Sequence, residues 1–313
     1  MAVNGVQREE GVDTLPERYL RAARRASTER RYAQAIAHFE AEWGGLLPAS
    51  SESVVRYLAA YGAQLSSGTL RVHLAALAQW HRAHGFSDPT KTARVRDVLR
   101  GIQALHLQPQ QQAEALALED LQACVDSLEE ALVSSEKAVR LRAARDRALL
   151  LLGFWRALRG DELCRLQTEH LQIRRGEGLV VFLPSSKTDR SNRGRQLSVP
   201  ALKRLCPVTA VEQWLECSGI QHGPLFRAVD RWGHLSAQAL NPNSISRLLR
   251  QIMFSSSVDP QGYSGHSLRR GFATWASANQ WNSKALMDYV GWRDIQTATR
   301  YIDSKAPFGA WAE

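Results

Sequence analysis

The sequence predicts a mainly α protein of two domains: an N-terminal helical bundle, then a mostly helical α+β domain with a small antiparallel sheet. Three observations lead there. The 313 residues suit about two domains, because single cores stop growing near ~250–300 residues. Apolar residues recur at helical spacing through the first hundred positions and again from Leu118. Between Leu171 and Pro200, short strand-like runs replace that spacing. Hydrophobic residues at 44% and charged residues at 23% supply real cores, which excludes a disordered, collagen-like or disulfide-scaffold chain.

Taken in order, Ser27 is placed to cap a helix that carries Tyr32, Ile36 and Phe39 to a stop at Gly44-Gly45. Ser51 opens a second, with Val54, Val55, Leu58 and Tyr61 at helical spacing before Gly62. Thr69 opens a third, with Leu70, Leu74, Leu77 and Trp80 on one face, ending near Gly85. Pro89-Thr90 introduces a fourth that turns Val95, Val98, Leu99 and Ile102 inward and Lys91, Arg94, Arg96 and Arg100 outward. Four short amphipathic helices with brief connections make a bundle, assigned to residues 1–105. Residues 106–116 are the expected linker, since His106 to Ala113 is a polar Gln/Pro stretch without periodicity. In the second domain, residues 117–313, helices run to about Leu158. Leu179–Leu183 and Gln196–Val199 then read as strands around a polar hairpin tip, Pro184 to Arg195, and helices return from Val208 to the end.

The net charge of +9 favours polyanions, because neutralising phosphates releases condensed counterions. Residues 1–110 carry 14 of the 40 basic and 10 of the 31 acidic side chains, so both halves share the excess. No stretch approaches the roughly 20 apolar residues of a membrane span, and Met1 to Glu10 lacks the apolar region of a secretory signal. Cys124, Cys164, Cys206 and Cys217 are widely spaced, as expected of reduced thiols. A soluble cytoplasmic protein is the expectation, and the Ala/Arg/Leu-rich composition suggests a bacterial source. Nucleotide-loop, zinc-protease and serine-hydrolase motifs are absent. His81 and His84 share a helix face without a third ligand, so they read as solvated surface and no metal or other cofactor is expected.

Four places carry chemistry. Arg159 follows the apolar helix Ala148–Trp155, with Asp161 positioned to cap the next helix. Lys187 lies in Ser185-Ser-Lys-Thr-Asp-Arg190 at the hairpin tip. His266 and Arg269 stand three apart at a helix start, facing one way, with Leu268 and Phe272 free to point into a core. Trp292 and Tyr301 are nine residues apart, which on one straight helix puts them on opposite sides; a stop at Gly291 and a cap at Asp294 break it between them. Singly, each has an ordinary reading: a surface arginine, a solvated turn lysine, an ion-pairing arginine, a half-buried tyrosine.

Together, in the order Arg–Lys–His-x-x-Arg–Trp–Tyr, they resemble the tyrosine recombinase (phage integrase) family over nearly the whole chain. The resemblance implies a SAM-like core-binding domain at the N-terminus and the family's catalytic fold after it. It makes Arg159, Lys187, His266, Arg269 and Trp292 the catalytic set around the nucleophile Tyr301, with Glu162 supporting Arg159. It implies attack on a DNA phosphodiester, a 3′-phosphotyrosyl intermediate, and no metal or ATP. Lys187 is the leaving-group acid by this resemblance, with Arg190, Arg193 and Arg195 as rivals. The implied partners are double-stranded DNA with a specific recombination site, a homotetramer on two such sites, and an accessory DNA-bending or directionality protein. The implied service is to a mobile element, by integration, excision or cointegrate resolution. Only 26 residues precede Ser27, so the simple Cre-like architecture is expected rather than one with an arm-binding domain. Candidate phosphate contacts are Lys91, Arg94, Arg96 and Arg100, with Arg21, Arg24 and Arg25, and Arg247 and Arg250 on a later helix. Phe308 and Trp311 are expected to dock into a neighbouring protomer. Competing readings are a non-catalytic DNA-binding regulator and a type IB-like topoisomerase or telomere resolvase.

Overall fold

The structure is a computed structural model and describes Tyr19 and residues 26–107, 112–174, 176–184 and 194–299. Lys187, Arg190, Arg193, Tyr301, Arg21, Arg24, Arg25, Phe308 and Trp311 lie outside the described residues. The chain divides into two compact units between Gln110 and Gln111, within the polar stretch.

The first unit holds helices α1 (Ala26–Ala37), α2 (Ser51–Tyr61), α3 (Ser67–Ala83) and α4 (Ala93–Leu105), with a π-helical turn at His38–Glu42 continuing α1. Each of the later three begins at a hydroxyl cap: Ser50, Ser66 and Thr92 accept the backbone N–H of Ser53, Thr69 and Val95. Thr69 therefore does not open α3. Its N–H is the one Ser66 satisfies, which moves the start two residues earlier. Phe39, Val54, Tyr57, Leu58, Leu70, Leu77 and Val95 meet in one core. The surface reading of His81 is wrong. It is buried, its Nε2 accepts the Ala49 N–H at 2.8 Å, and its Nδ1 bonds Leu77 O at 2.7 Å, which fixes a neutral Nδ1-protonated ring. His84 does lie at the surface.

In the second unit, α5 (Leu118–Leu132) and α6 (Lys137–Trp155) lead to the short α7 (Gly160–Cys164). The consecutive residues Leu149 to Phe154 are all buried, so α6 is enclosed on every side and acts as the central rod of this core. A three-stranded antiparallel sheet follows in the order β1 (Leu171–Arg174), β2 (Gly178–Leu183), β3 (Arg195–Pro200). Val181 pairs with Leu197 and Leu179 with Val199, and these four side chains with Leu183 bury one face of the sheet. After α8 (Pro207–Ser218) comes a second sheet, the hairpin β4 (Arg227–Val229) and β5 (Leu235–Ala239). The sequence reading placed only helices there. The strands are short and half-exposed, and what makes them a hairpin is a turn: the Asp230 carboxylate accepts the N–H of Trp232 and of His234, each at 2.8 Å. Helices α9 (Ser244–Ser255), α10 (Ser267–Ala278), α11 (Ser283–Val290) and α12 (Ile295–Thr299) complete the described elements. All four cysteines are free. Among the described residues no helix is long and apolar enough to cross a membrane.

Candidate active site

The site forms where α6 ends. Ala157 adopts a left-handed conformation (φ 51°) that a side chain disfavours by roughly 1 kcal/mol. Leu158 N–H reaches back to Gly153 O at 3.0 Å, closing a Schellman-type end that stops the helix sharply. Two residues later Arg159 becomes the N-cap of α7. Glu162, buried, accepts the Arg159 backbone N–H at 2.9 Å on one carboxylate oxygen and the guanidinium Nη1 at 2.7 Å on the other. One carboxylate thus fixes both the backbone and the charge of Arg159. Asp161, expected as the cap, lies inside the first turn, too late to cap it, and pairs instead with Arg165 at 2.7 Å.

Arg269 comes from α10, whose N-cap residue is His266. Leu268 and Phe272 anchor that helix in the core, and between them the buried Arg269 donates from Nη1 to Ala157 O at 2.7 Å. The strained residue therefore presents the carbonyl that orients the second arginine. His266 is exposed one helical turn before Arg269. Trp292 is buried beside the same guanidinium, with Arg269 Cζ 5.5 Å from its ring centre. Gly291 ends α11 in the left-handed conformation (φ 79°), and Asp294 accepts the Gln296 N–H at 3.0 Å to start α12. The break between Trp292 and Tyr301 is real, and Tyr301 follows two residues after the last residue of α12.

Arg159, Glu162 and Arg269 thus share a small cavity of about 20 Å³ with Arg156, Arg195, Tyr289 and Gly291. Two of these neighbours, Arg156 and Tyr289, escaped a functional reading of the sequence. Arg156 is buried, which pushes its pKa down to about 10, so it stays charged at neutral pH. It donates to Tyr289 O and lies 3.9 Å over the Tyr289 ring, whose own pKa burial raises. The apolar run before Arg156 hinted at its burial, but its partner 133 residues onward left no local signal. Arg195, read as a rival hairpin acid, instead donates to the carbonyls of Asp288 and Tyr289.

The candidate DNA contacts are scattered by comparison. Lys91, Arg94, Arg96 and Arg100 are all exposed in and before α4, but Arg94 pairs with Glu52 at 3.1 Å and Arg100 with Asp97. Arg247 and Arg250 are exposed on α9 and line a groove of about 830 Å³ with Arg142 and Arg145. Among the described residues no cluster of three or more His, Cys, Asp or Glu side chains could hold a metal ion.

Residues 125–307 match the model of the phage integrase family. The chain belongs to the phage integrase family. A XerD-homologue integrase/recombinase of Selenomonas ruminantium is 29% identical over 262 residues, covering 82% of this chain and 74% of that protein. The Cre recombinase of Escherichia phage P1 is 26% identical, covering 82% and 76%. In fold, the chain resembles the XerH site-specific recombinase bound to a palindromic difH substrate, with a TM-score of 0.61, 16% identity, and 87% and 75% of the two chains covered. It also resembles a lambda integrase dimer bound to a core site, with a TM-score of 0.59, 17% identity, and 93% and 95% covered. As a phage integrase family member the chain is a tyrosine recombinase, an enzyme of site-specific DNA recombination.

Proposed function

We propose that Tyr301 cuts one DNA strand inside the cradle formed by Arg159 and Arg269. The convergence of these two arginines and Trp292 at the end of α6 carries the reading. The tyrosine oxygen bonds phosphorus, the P–O5′ bond breaks, and the phenol proton passes to His266. The leaving 5′-oxygen takes a proton from Lys187. Bond energy stays in the phosphotyrosine, so rejoining is the same step reversed on a new 5′-hydroxyl. A phenol with a pKa near ~10 needs this assisted deprotonation.

Arg159 and Arg269 are suited to hold the non-bridging oxygens, because a guanidinium fork matches two oxygens at once and a lysine cannot. Glu162 keeps Arg159 turned and partly neutralises it, which offsets the crowded positive charge of the site. Trp292 can only donate a hydrogen bond, so it serves as a phosphate ligand and not as a proton shuttle. Lys91, Arg94, Arg96, Arg100, Arg247 and Arg250 serve as backbone contacts that set register rather than read sequence. The two units grip the duplex as a clamp with residues 106–113 as the strap, four copies act on two sites with an accessory DNA-bending protein, and the host is a mobile element in a bacterial cytoplasm.

The test uses a nicked duplex built on whatever sequence the protein selects from a random-sequence pool. The parent should leave a protein–DNA adduct stable to denaturant, and Tyr301→Phe should bind the duplex equally well yet leave none. An adduct with Tyr301→Phe would remove Tyr301 as nucleophile.

A further inference from the structure

Two arginines converge on the carboxyl end of α11, and the proposed reaction gives neither a role. The last carbonyls of a helix lack intrahelical partners and carry the negative end of its dipole. At this end Gly291 N–H and Trp292 N–H both return to Met287 O, at 2.7 and 2.9 Å. The next two carbonyls are taken by guanidinium groups. Arg195 donates from Nη2 to Asp288 O and also to Tyr289 O at 3.1 Å. Arg156 donates from Nη1 to the same Tyr289 O and covers the Tyr289 ring. Arg156 caps α6, three residues before Arg159, whereas Arg195 opens β3 at the base of the hairpin that carries Lys187.

We infer that Arg195 is a positioning residue for strand cleavage: by bridging the hairpin base to the last carbonyls of α11, it fixes the direction in which the Gly291–Trp292 turn leaves the helix. The inference rests on the proposed roles of Trp292 and Tyr301. Trp292 is the second residue of that turn and Tyr301 follows nine residues later, so a turn free to rock would displace a phosphate ligand and the nucleophile together. The cradle arginines sit on other elements and would stay where they are. Both carbonyls are open to Arg195 because α11 stops at Val290 and leaves its last turn without intrahelical partners. Gly291 enforces the fit from the other side, because a Cβ there would run into the Arg195 guanidinium. Occupied in this way, Arg195 is placed as a brace and not as the leaving-group acid.

The experiment measures binding and single-turnover cleavage of the selected nicked duplex by Arg195→Ala, Arg195→Lys, Trp292→Ala and the Arg195→Ala/Trp292→Ala pair. Each is run with an ordinary scissile linkage and with a 5′-phosphorothiolate, whose sulfur leaves without a proton. Arg195→Ala should bind DNA within about twofold of the parent and cleave about 10²-fold more slowly, the loss an ångström-scale misplacement produces. The sulfur leaving group should not restore it. Arg195→Lys, whose ammonium offers three donors to the same carbonyls, should recover most of the rate. On the Trp292→Ala background the Arg195→Ala loss should shrink to the part that acts through Tyr301, because one turn positions both residues. Losses that multiply in the pair overturn the inference, and so does rescue by sulfur, which would assign Arg195 to leaving-group protonation. A general loss of folding would lower binding and rate together and leave Arg195→Lys and the pairing unexplained, so it too would overturn it. If Trp292→Ala alone cleaves at the parental rate, the proposed role of Trp292 fails separately, and the lysine and sulfur results decide for Arg195.

Discussion

In the first unit the buried polar residue among those described is His81, neutral and satisfied by two backbone groups, while its charged side chains stay outside. In the second unit Arg145, Asp146, Arg156, Glu162 and Arg269 are all buried. Arg145 and Asp146 pair with each other at 2.7 Å. The remaining three gather with Arg159 at the end of α6, three guanidinium groups around one carboxylate. Burying a charge without a partner is costly, so a fold that crowds like charges into its interior is built for a counter-charge from outside. One unit is polar only where its architecture needs a bond. The other concentrates positive charge where a phosphate would sit.

The sharpest way to break this contrast is to remove a cradle arginine. Arg159→Ala should lower single-turnover cleavage by about 10²–10³-fold, the usual loss for one preorganised donor, with duplex affinity little changed in a filter-binding or fluorescence assay. A loss confined to binding would make the cluster an ordinary contact surface. An intermediate effect belongs to the first unit. His81→Leu leaves the Ala49 N–H buried and unsatisfied, which should cost about 1–3 kcal/mol of stability in a denaturant titration. A loss of cleavage at temperatures well below the melting transition would show that the unit's buried polarity is not merely architectural.

The smallest effect concerns pH. Tyr57 Oη sits between His38 Nδ1 at 2.8 Å and His73 Nδ1 at 2.5 Å. Burial, and then the neighbouring His38, lower the His73 pKa below its ordinary value of 6.5. The unfolded chain therefore binds more protons between that lowered value and 6.5, so stability rises with pH across this window and is lost as pH falls through it. The melting temperature of the first unit should drop on acidification from pH ~7.5 to ~5.5, and less so in His73→Gln. An unchanged drop in that variant would remove His73 from the account.

The contrast also explains what was legible in the sequence. Helices with hydroxyl caps and apolar stripes, such as α2 and α4, declare themselves locally. So do the stop at Gly291 and the cap at Asp294, because turn chemistry is written in adjacent residues. Arg159, His266, Arg269 and Trp292 were singled out because the order and spacing of their residue types resemble one family's pattern, and that resemblance named Glu162, which does pair with Arg159. What escaped depends on distant partners. The partners of Arg156 and Arg195 arrive only when α11 folds against them, His81 looks solvated until the Ala49 N–H arrives, and β4 and β5 pair around an Asp230 turn that carries no strand signal. Lys187 and Tyr301 rest on the sequence pattern and on the proposed chemistry.

The central claim is that the arginines at the end of α6 serve the charge of a scissile phosphate. It is tested most directly by comparing Arg159→Ala with the parent on a DNA site whose scissile phosphate is ordinary or is replaced by an uncharged methylphosphonate. If Arg159 neutralises a phosphate oxygen, most of the cleavage lost with the ordinary linkage should disappear with the uncharged one. An equal loss on both linkages would contradict the account.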